Sequence, residues 1–103
     1  MNPLWEESEF VFGDLKTAAQ FIHQNNPEAA HAFLEAAYDT FEFLAAHPAM
    51  GRGRSDLGFP EIHSWRVKGF RRYLVFYRVM PARIQIWRVL HGARDLHQIL
   101  GGQ

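Results

Sequence analysis

The stretch of sequence that decides the fold is Ser64-Trp-Arg-Val-Lys-Gly-Phe-Arg-Arg-Tyr-Leu-Val-Phe-Tyr-Arg-Val-Met-Pro-Ala-Arg-Ile-Gln-Ile-Trp-Arg-Val-Leu-His-Gly-Ala-Arg-Asp95. Three segments in it, 64–68, 71–79 and 83–91, are predicted strands, and the later two are rich in β-branched and aromatic residues. Connections of two or three residues separate them. Such short connections join only antiparallel neighbours, because a parallel return needs a crossover of about a dozen residues. The stretch therefore predicts an antiparallel meander.

The first half of the chain predicts two amphipathic helices. The first helix starts near Ser8, and the second has Asn26 as its N-cap and Pro27 at its first position. The apolar stripes are Val11, Leu15, Ala18, Ala19 and Ile22 in the first helix, widened by Phe10 and Phe21, and Ala30, Phe33, Leu34, Ala37, Phe41 and Leu44 in the second. The short turn between the helices predicts an antiparallel helix hairpin.

The remaining segments complete an α+β fold. Residues 3–5 predict a short first strand, residues 50–60 a loop, and residues 96–100 a short turn of C-terminal helix. The order β-α-α-β-β-β predicts a two-layer fold in which the N-terminal helix hairpin packs on an antiparallel sheet, as a single domain over residues 1–103. Strand 71–79 is apolar on both faces, so we expect another part of the chain, or a partner, to cover the second face.

Composition excludes several classes of protein. The chain has 103 residues, of which 48% are hydrophobic and 15% aromatic, and this argues for one packed core and against disorder. It has no cysteine, which excludes disulfides and thiol nucleophiles. No apolar run approaches the length of about 20 residues that a membrane span needs, and the N-terminus does not resemble a signal peptide. We therefore expect a cytoplasmic protein with no membrane contact.

Charge is distributed unevenly along the chain although the net charge is zero. Residues 1–50 hold eight acidic residues and one lysine, whereas residues 51–103 hold ten basic and three acidic residues. Nine of those ten bases are arginine, which suits bidentate contact with phosphate or carboxylate. This asymmetry indicates a face for an anionic partner. The alternative is that the acidic half neutralises the basic half within the fold.

The sequence offers one set of residues with catalytic potential. Arg66, Arg72, Tyr73 and His91 lie on adjacent predicted strands and could converge as the acid, base and cations of a metal-free ribonuclease. The six histidines have no metal-ligand spacing, and no phosphate-binding glycine loop or nucleophile motif is present. We expect no metal and no cofactor.

Three aromatic side chains fall outside both helical stripes, namely Phe12, Tyr38 and Phe43. Exposed apolar side chains mark partner sites, so these residues predict a binding surface. The segment His91-Gly-Ala-Arg-Asp95 has two interpretations. Either Gly92 bends the chain, Asp95 caps the last helix and Arg94 pairs with a helix acid, or the segment contacts a partner directly.

Several segments together resemble ParE toxins of the RelE/ParE superfamily of bacterial toxin–antitoxin modules. They are Arg66-Val67, residues 73–79, residues 86–95, residues 26–30 and residues 44–54. The resemblance covers nearly the whole chain. It implies a RelE/ParE-like fold whose first strand lies at a sheet edge, and a toxin of a type II system, the plasmid stabilisation family. Such a toxin inhibits DNA gyrase, and a cognate ParD-like antitoxin that folds onto it in a hetero-oligomer neutralises it.

The resemblance also gives the singled-out residues expected roles. Gyrase contacts are expected on the basic face at Arg71, Arg72 and Arg94. Antitoxin contacts are expected at Phe12, Tyr38 and Phe43. The superfamily leaves two alternatives open. One is a ribosome-dependent mRNA endonuclease of the RelE type, with the set Arg66, Arg72, Tyr73 and His91, and the other is a non-toxic binding module. The ending 91–95 departs from the RNA-cleaving members, so enzymatic activity is not the lead interpretation.

Overall fold

A computed structural model of the chain describes residues 5–101, which form one five-stranded sheet and three α-helices. The strands are Trp5–Glu7 (β1), Arg52–Arg54 (β2), Phe59–Val67 (β3), Phe70–Val79 (β4) and Ile84–His91 (β5). The helices are Val11–His23 (α1), Pro27–Ala46 (α2) and Leu96–Gly101 (α3). The strand order across the sheet is β1-β5-β4-β3-β2.

The predicted meander is present, since β3, β4 and β5 pair antiparallel in sequence order. Gly69 turns β3 into β4 with a φ of 81°, in the left-handed region where glycine is favoured. The register sets Tyr73 opposite His91 and Trp65 opposite Val75. This register brings the ends of β3, β4 and β5 together at one end of the sheet.

The sheet differs from the predicted one at both edges. β1 pairs parallel with β5, with Trp5 opposite Ile84, so the sheet is mixed. The helix hairpin and strands β2 to β4 lie between β1 and β5 along the chain, so the connection is long enough for a parallel return. The edge position of β1 agrees with the expectation, and residues 3 and 4 lie outside the described residues. At the other edge, the loop predicted for residues 50–60 contains β2 and the start of β3, because edge pairing overrides the weak strand propensity of Arg52-Gly-Arg54.

The helix hairpin begins later than predicted. α1 starts at Val11, because Ser8 instead joins the edge of β5: its N–H donates to Ile86 O at 2.9 Å and its hydroxyl donates to Trp87 O at 2.5 Å. The second helix has the predicted cap, since Asn26 Oδ1 accepts a hydrogen bond from Ala29 N at 3.1 Å.

Apolar side chains fill both faces of the sheet. On one face, the stripes of α1 and α2 pack against Val67, Tyr73, Val75, Tyr77, Ile84, Ile86 and Val89. Phe21 is an exception to the predicted stripe: it is 59% exposed, because Ile22 occupies the inward position at that turn of α1.

The second face is covered by the chain itself. Leu96 and Leu100 of α3 and Leu57 of a 3₁₀ turn belong to the cluster that buries Phe76 and Trp87. The expectation that something covers this face is therefore confirmed, and α3 is one of the covering elements.

Candidate functional site

An open cleft of about 1340 Å³ lies at the end of the sheet where β3 turns into β4. The end of α1, the middle of α2, the β3–β4 hairpin and the end of β5 form its walls. Its lining residues are Phe21, Ile22, Asp39, Thr40, Phe43, Trp65, Arg66, Lys68, Gly69, Phe70, Arg71, Arg72, Tyr73 and His91.

The structure brings the predicted nuclease set together in this cleft. Arg66, Arg72, Tyr73 and His91 all line it. The Tyr73 and His91 rings meet edge to face, with 5.0 Å between their centroids. The two side chains come from opposed positions on β4 and β5, so the antiparallel register produces this contact.

The hydrogen bonding of His91 limits what the ring can do chemically. Its Nδ1 accepts a hydrogen bond from Ala93 N at 3.0 Å. This bond places the proton of the neutral ring on Nε2, so the remaining nitrogen can donate but not accept. The Tyr73 phenol is protonated at neutral pH, because the pKa of a tyrosine is ordinarily about 10 and burial raises it further. Neither His91 nor Tyr73 is thus set up as a general base. The carboxylate among the lining residues is that of Asp39, which is not a member of the predicted nuclease set.

The cations of the cleft are exposed. They are Arg66, Lys68, Arg71 and Arg72. None of the four forms an ion pair within residues 5–101. Four arginines elsewhere do: Arg52 and Arg54 pair with Asp56, Arg83 pairs with Glu6, and Arg88 pairs with Asp14. Acidic residues thus neutralise part of the basic half, while the cleft retains positive charge.

Aromatic rings alternate with these cations. Phe43 of α2 stacks on Trp65 of β3, with 6.1 Å between ring centroids and 28° between planes. The Arg66 guanidinium lies 4.6 Å from the centroid of the Trp65 ring. Sequence reasoning did not place Trp65, Phe21 or Asp39 in a site, because these residues come from three elements that only the tertiary fold brings together.

A smaller cavity of about 340 Å³ adjoins the cleft between α1 and β5. The two share Phe21, Tyr73 and His91. Arg94 lines the smaller cavity, while Arg71 and Arg72 line the larger one. The three residues expected to contact gyrase therefore lie along one continuous surface.

The three residues expected to contact an antitoxin are all exposed, at 77% for Phe12, 43% for Tyr38 and 38% for Phe43. Of the three, Phe43 lines the cleft. Tyr38 packs edge-on against Phe41, and Phe12 lies on α1 outside both cavities.

The segment after β5 agrees in part with its structural interpretation. Asp95 Oδ1 accepts a hydrogen bond from Gln98 N at 3.2 Å, as expected of a cap. Arg94 makes no ion pair with an acidic residue in the described part of the chain, and the pairing expected for it is wrong. Asp14 of α1 pairs with Arg88 instead, because β5 packs against α1 whereas Arg94 lies beyond the end of β5.

Residues 5–101 contain no group of three or more histidine, aspartate or glutamate side chains arranged to hold a metal ion. Within the same residues, no helix combines the length and the apolar character that crossing a membrane requires.

Comparisons with known proteins agree with this architecture. The family model described as ParE toxin of type II toxin-antitoxin system, parDE, matches residues 11–96. Toxin ParE3 of Caulobacter vibrioides is 35% identical over 92 residues, which cover 88% of each chain. A solved structure titled "Chromosomal ParDE TA system from P. aeruginosa" superimposes with a TM-score of 0.70 at 16% identity, over 84% of this chain and 92% of that chain, and shares the fold. The chain therefore belongs to the ParE toxin family of type II toxin–antitoxin systems.

Proposed function

We propose that this chain is a toxin that inhibits DNA gyrase in the cytoplasm and that a ParD-like antitoxin neutralises it by binding. The observation that carries the proposal is a basic cleft in a chain of the ParE family, whose cations form no ion pair in the part of the chain that the structure describes. His91 and Tyr73, the side chains best placed for proton transfer, are not set up as bases, which favours a toxin that acts by binding.

The basic surface supplies the gyrase contacts in this proposal. Arg71, Arg72 and Arg94 are exposed and line the two adjoining cavities. An interface of this kind depends on several exposed charges, each of which contributes modestly and is screened by salt. In this proposal the antitoxin contacts Phe12, Tyr38 and Phe43, and because Phe43 lines the basic cleft, the antitoxin would cover part of it.

A supercoiling assay with purified gyrase and relaxed plasmid tests the proposal. We expect the chain to inhibit supercoiling, and Arg71→Ala, Arg72→Ala and Arg94→Ala each to weaken inhibition by about threefold to tenfold. Arg83→Ala is the matched control, because Arg83 is an exposed arginine that pairs with Glu6 at the opposite end of the sheet. Supercoiling that continues unchanged at high toxin concentration would contradict the proposal.

A ribosome-dependent mRNA endonuclease is the second candidate. The observation that favours it is the convergence of Arg66, Arg72, Tyr73 and His91 in one cleft. Acid–base residues contribute about 10²–10⁴-fold to rate, so His91→Ala would abolish cleavage by a nuclease of this kind. Under the gyrase proposal, neither the wild type nor His91→Ala cleaves a defined mRNA on ribosomes, and both inhibit supercoiling.

A further inference from the structure

We propose that the cleft binds single-stranded DNA, stacking bases on its aromatic rings and holding phosphates with its arginines, without cleaving the strand. The choice of DNA rests on the proposed gyrase function, since gyrase acts on DNA. The chemistry of the binding itself rests on the geometry of the cleft.

The size and shape of the cleft favour a polymer. Small-molecule sites enclose about 300–1000 Å³, whereas this cleft measures about 1340 Å³ and is open to solvent. A polymer can lie in the open part of this cleft, beside the contact in which Lys68 N of the β3–β4 hairpin donates to Thr40 Oγ1 of α2 at 3.1 Å.

The aromatic rings supply flat surfaces for bases. Phe43 lies nearly parallel to Trp65, and the Arg66 guanidinium lies over the same Trp65 ring. Phe43 of α2 is 38% exposed and Phe21 of α1 is 59% exposed, and both line the cleft. Stacking on exposed aromatic faces is how proteins hold single strands without reading their sequence. In a duplex each base already stacks on its neighbours, so the faces of the bases are not free to stack on the aromatic rings of the protein.

The cations supply the electrostatic half of the site. Arg66, Arg71 and Arg72 lie at the hairpin end of the sheet, and none of them pairs with an acid within residues 5–101. Asp39 is the acidic residue among the lining residues. An acidic peptide would match the charge as well, but the stacked and exposed rings favour a strand that carries a flat base on each unit.

The test is fluorescence anisotropy with the full-length chain and a labelled oligothymidylate of about 12 nucleotides, within the site sizes known for single-strand binders. Parallel arms use oligouridylate, a DNA duplex of equal length and polyglutamate as competitor. We expect the oligothymidylate to bind at least tenfold tighter than the duplex, to resist polyglutamate of matched charge, and to be intact on a gel afterwards.

Two variants and two controls locate the binding in the cleft. Phe43→Ala should raise the Kd for oligothymidylate by about tenfold. The double variant that carries both Arg71→Ala and Arg72→Ala should lower the magnitude of the slope of log affinity against log salt concentration by about 1.4. Arg83→Ala and Val79→Ala, which remove an exposed cation and an exposed apolar side chain far from the cleft, should bind like the wild type. Circular dichroism establishes folding, and the arginine variant keeps the test valid if Phe43→Ala unfolds.

Four results would overturn the inference: no binding of the oligothymidylate at low salt, tighter binding of oligouridylate, displacement by polyglutamate at matched charge, or cleavage of the strand. Because this assay contains no gyrase, its failure is separate from failure of the proposed function. If the chain inhibits supercoiling but does not bind oligothymidylate, the proposed gyrase inhibition is supported and the proposed DNA site is contradicted.

Discussion

Asp14 is the residue that joins the helix layer to the sheet. Its Oδ2 accepts hydrogen bonds from Arg88 Nε at 2.8 Å and Val89 N at 3.0 Å, and its Oδ1 accepts one from Arg88 Nη2 at 2.8 Å. Both side chains of the ion pair are about nine-tenths buried. Removing one member of a buried pair costs more than the pair itself contributes, because the other member loses its compensation in a medium of low polarity.

We expect Asp14→Ala to lower the free energy of unfolding by about 3 kcal/mol, measured by urea denaturation. The control is Glu6→Ala, which breaks the exposed pair that Glu6 forms with Arg83 at 3.3 Å. Exposed pairs contribute at most about 1 kcal/mol, so the control should change little. If Asp14→Ala and Glu6→Ala lower the free energy of unfolding by similar amounts, burial does not determine the strength of the Asp14–Arg88 pair.

Asp56 gives the stability of the chain a dependence on pH. Arg54 Nε and Nη2 each donate to an Asp56 oxygen at 3.0 Å, and these hydrogen bonds hold the pKa of Asp56 below its ordinary value. A carboxylate whose pKa is lower in the folded state stabilises the fold above its unfolded pKa, about pH 4. That contribution is lost as the pH falls through the folded-state pKa.

Asp56→Asn should therefore be less stable than the wild type at pH 7, and the difference should shrink as the pH falls from about 4 toward 2. Urea denaturation at a series of pH values measures both chains. A difference that stays constant over this range would show that ionisation of Asp56 is not what stabilises the fold there.

At the scale of elements, α3 shows how a helix of six residues persists. A helix this short is unstable in water on its own, so packing has to hold it. Leu96 and Leu100, four residues apart, face the second side of the sheet, and Leu100 is 1% exposed. The helix therefore exists because it covers Phe76 and Trp87.

We expect Leu100→Ala to cost about 2–4 kcal/mol, the range for a buried leucine that leaves a cavity. His97→Ala is the control on the same helix, because His97 is exposed and surface changes usually stay within about 0.5 kcal/mol. Thermal and urea denaturation measure both. A Leu100→Ala variant as stable as His97→Ala would mean that α3 does not cover the second face in solution.

At the scale of the whole molecule, the helix hairpin carries exposed aromatic residues, and the cations of the cleft form no ion pair within residues 5–101. An isolated toxin with these features gains stability from any partner that binds its folded state. The expected partner is the segment of a ParD-like antitoxin that folds on binding, and it would contact Phe12, Tyr38 and Phe43.

We expect such a segment, at about one hundred times its Kd, to add about 2.7 kcal/mol and raise the melting temperature by about 10 °C. Differential scanning fluorimetry measures the shift, with a scrambled segment of the same composition as control. Phe12→Ala, Tyr38→Ala and Phe43→Ala should each reduce it. A cognate segment that produces no more shift than the scrambled one would contradict the assignment of these residues.

The sequence by itself determined the elements whose signals are local. The two short turns in 64–95 required an antiparallel meander, the cap and proline at Asn26-Pro27 began the second helix where the structure has it, and Asp95 capped the last one. These features depend on neighbours along the chain, so residue type and spacing are enough to predict them.

The tertiary structure decided everything that depends on distant partners. Nothing local distinguishes a parallel β1 from an antiparallel one, or Arg88 from Arg94 as the partner of Asp14. The lining of the cleft also depends on distant partners: Phe21, Phe43, Trp65 and His91 line it together because the helix hairpin packs on one face of the sheet. Long-range packing determines which side chains come together. The spacing of apolar residues along the chain reports only which face of its own element a residue lies on, so it does not predict these contacts.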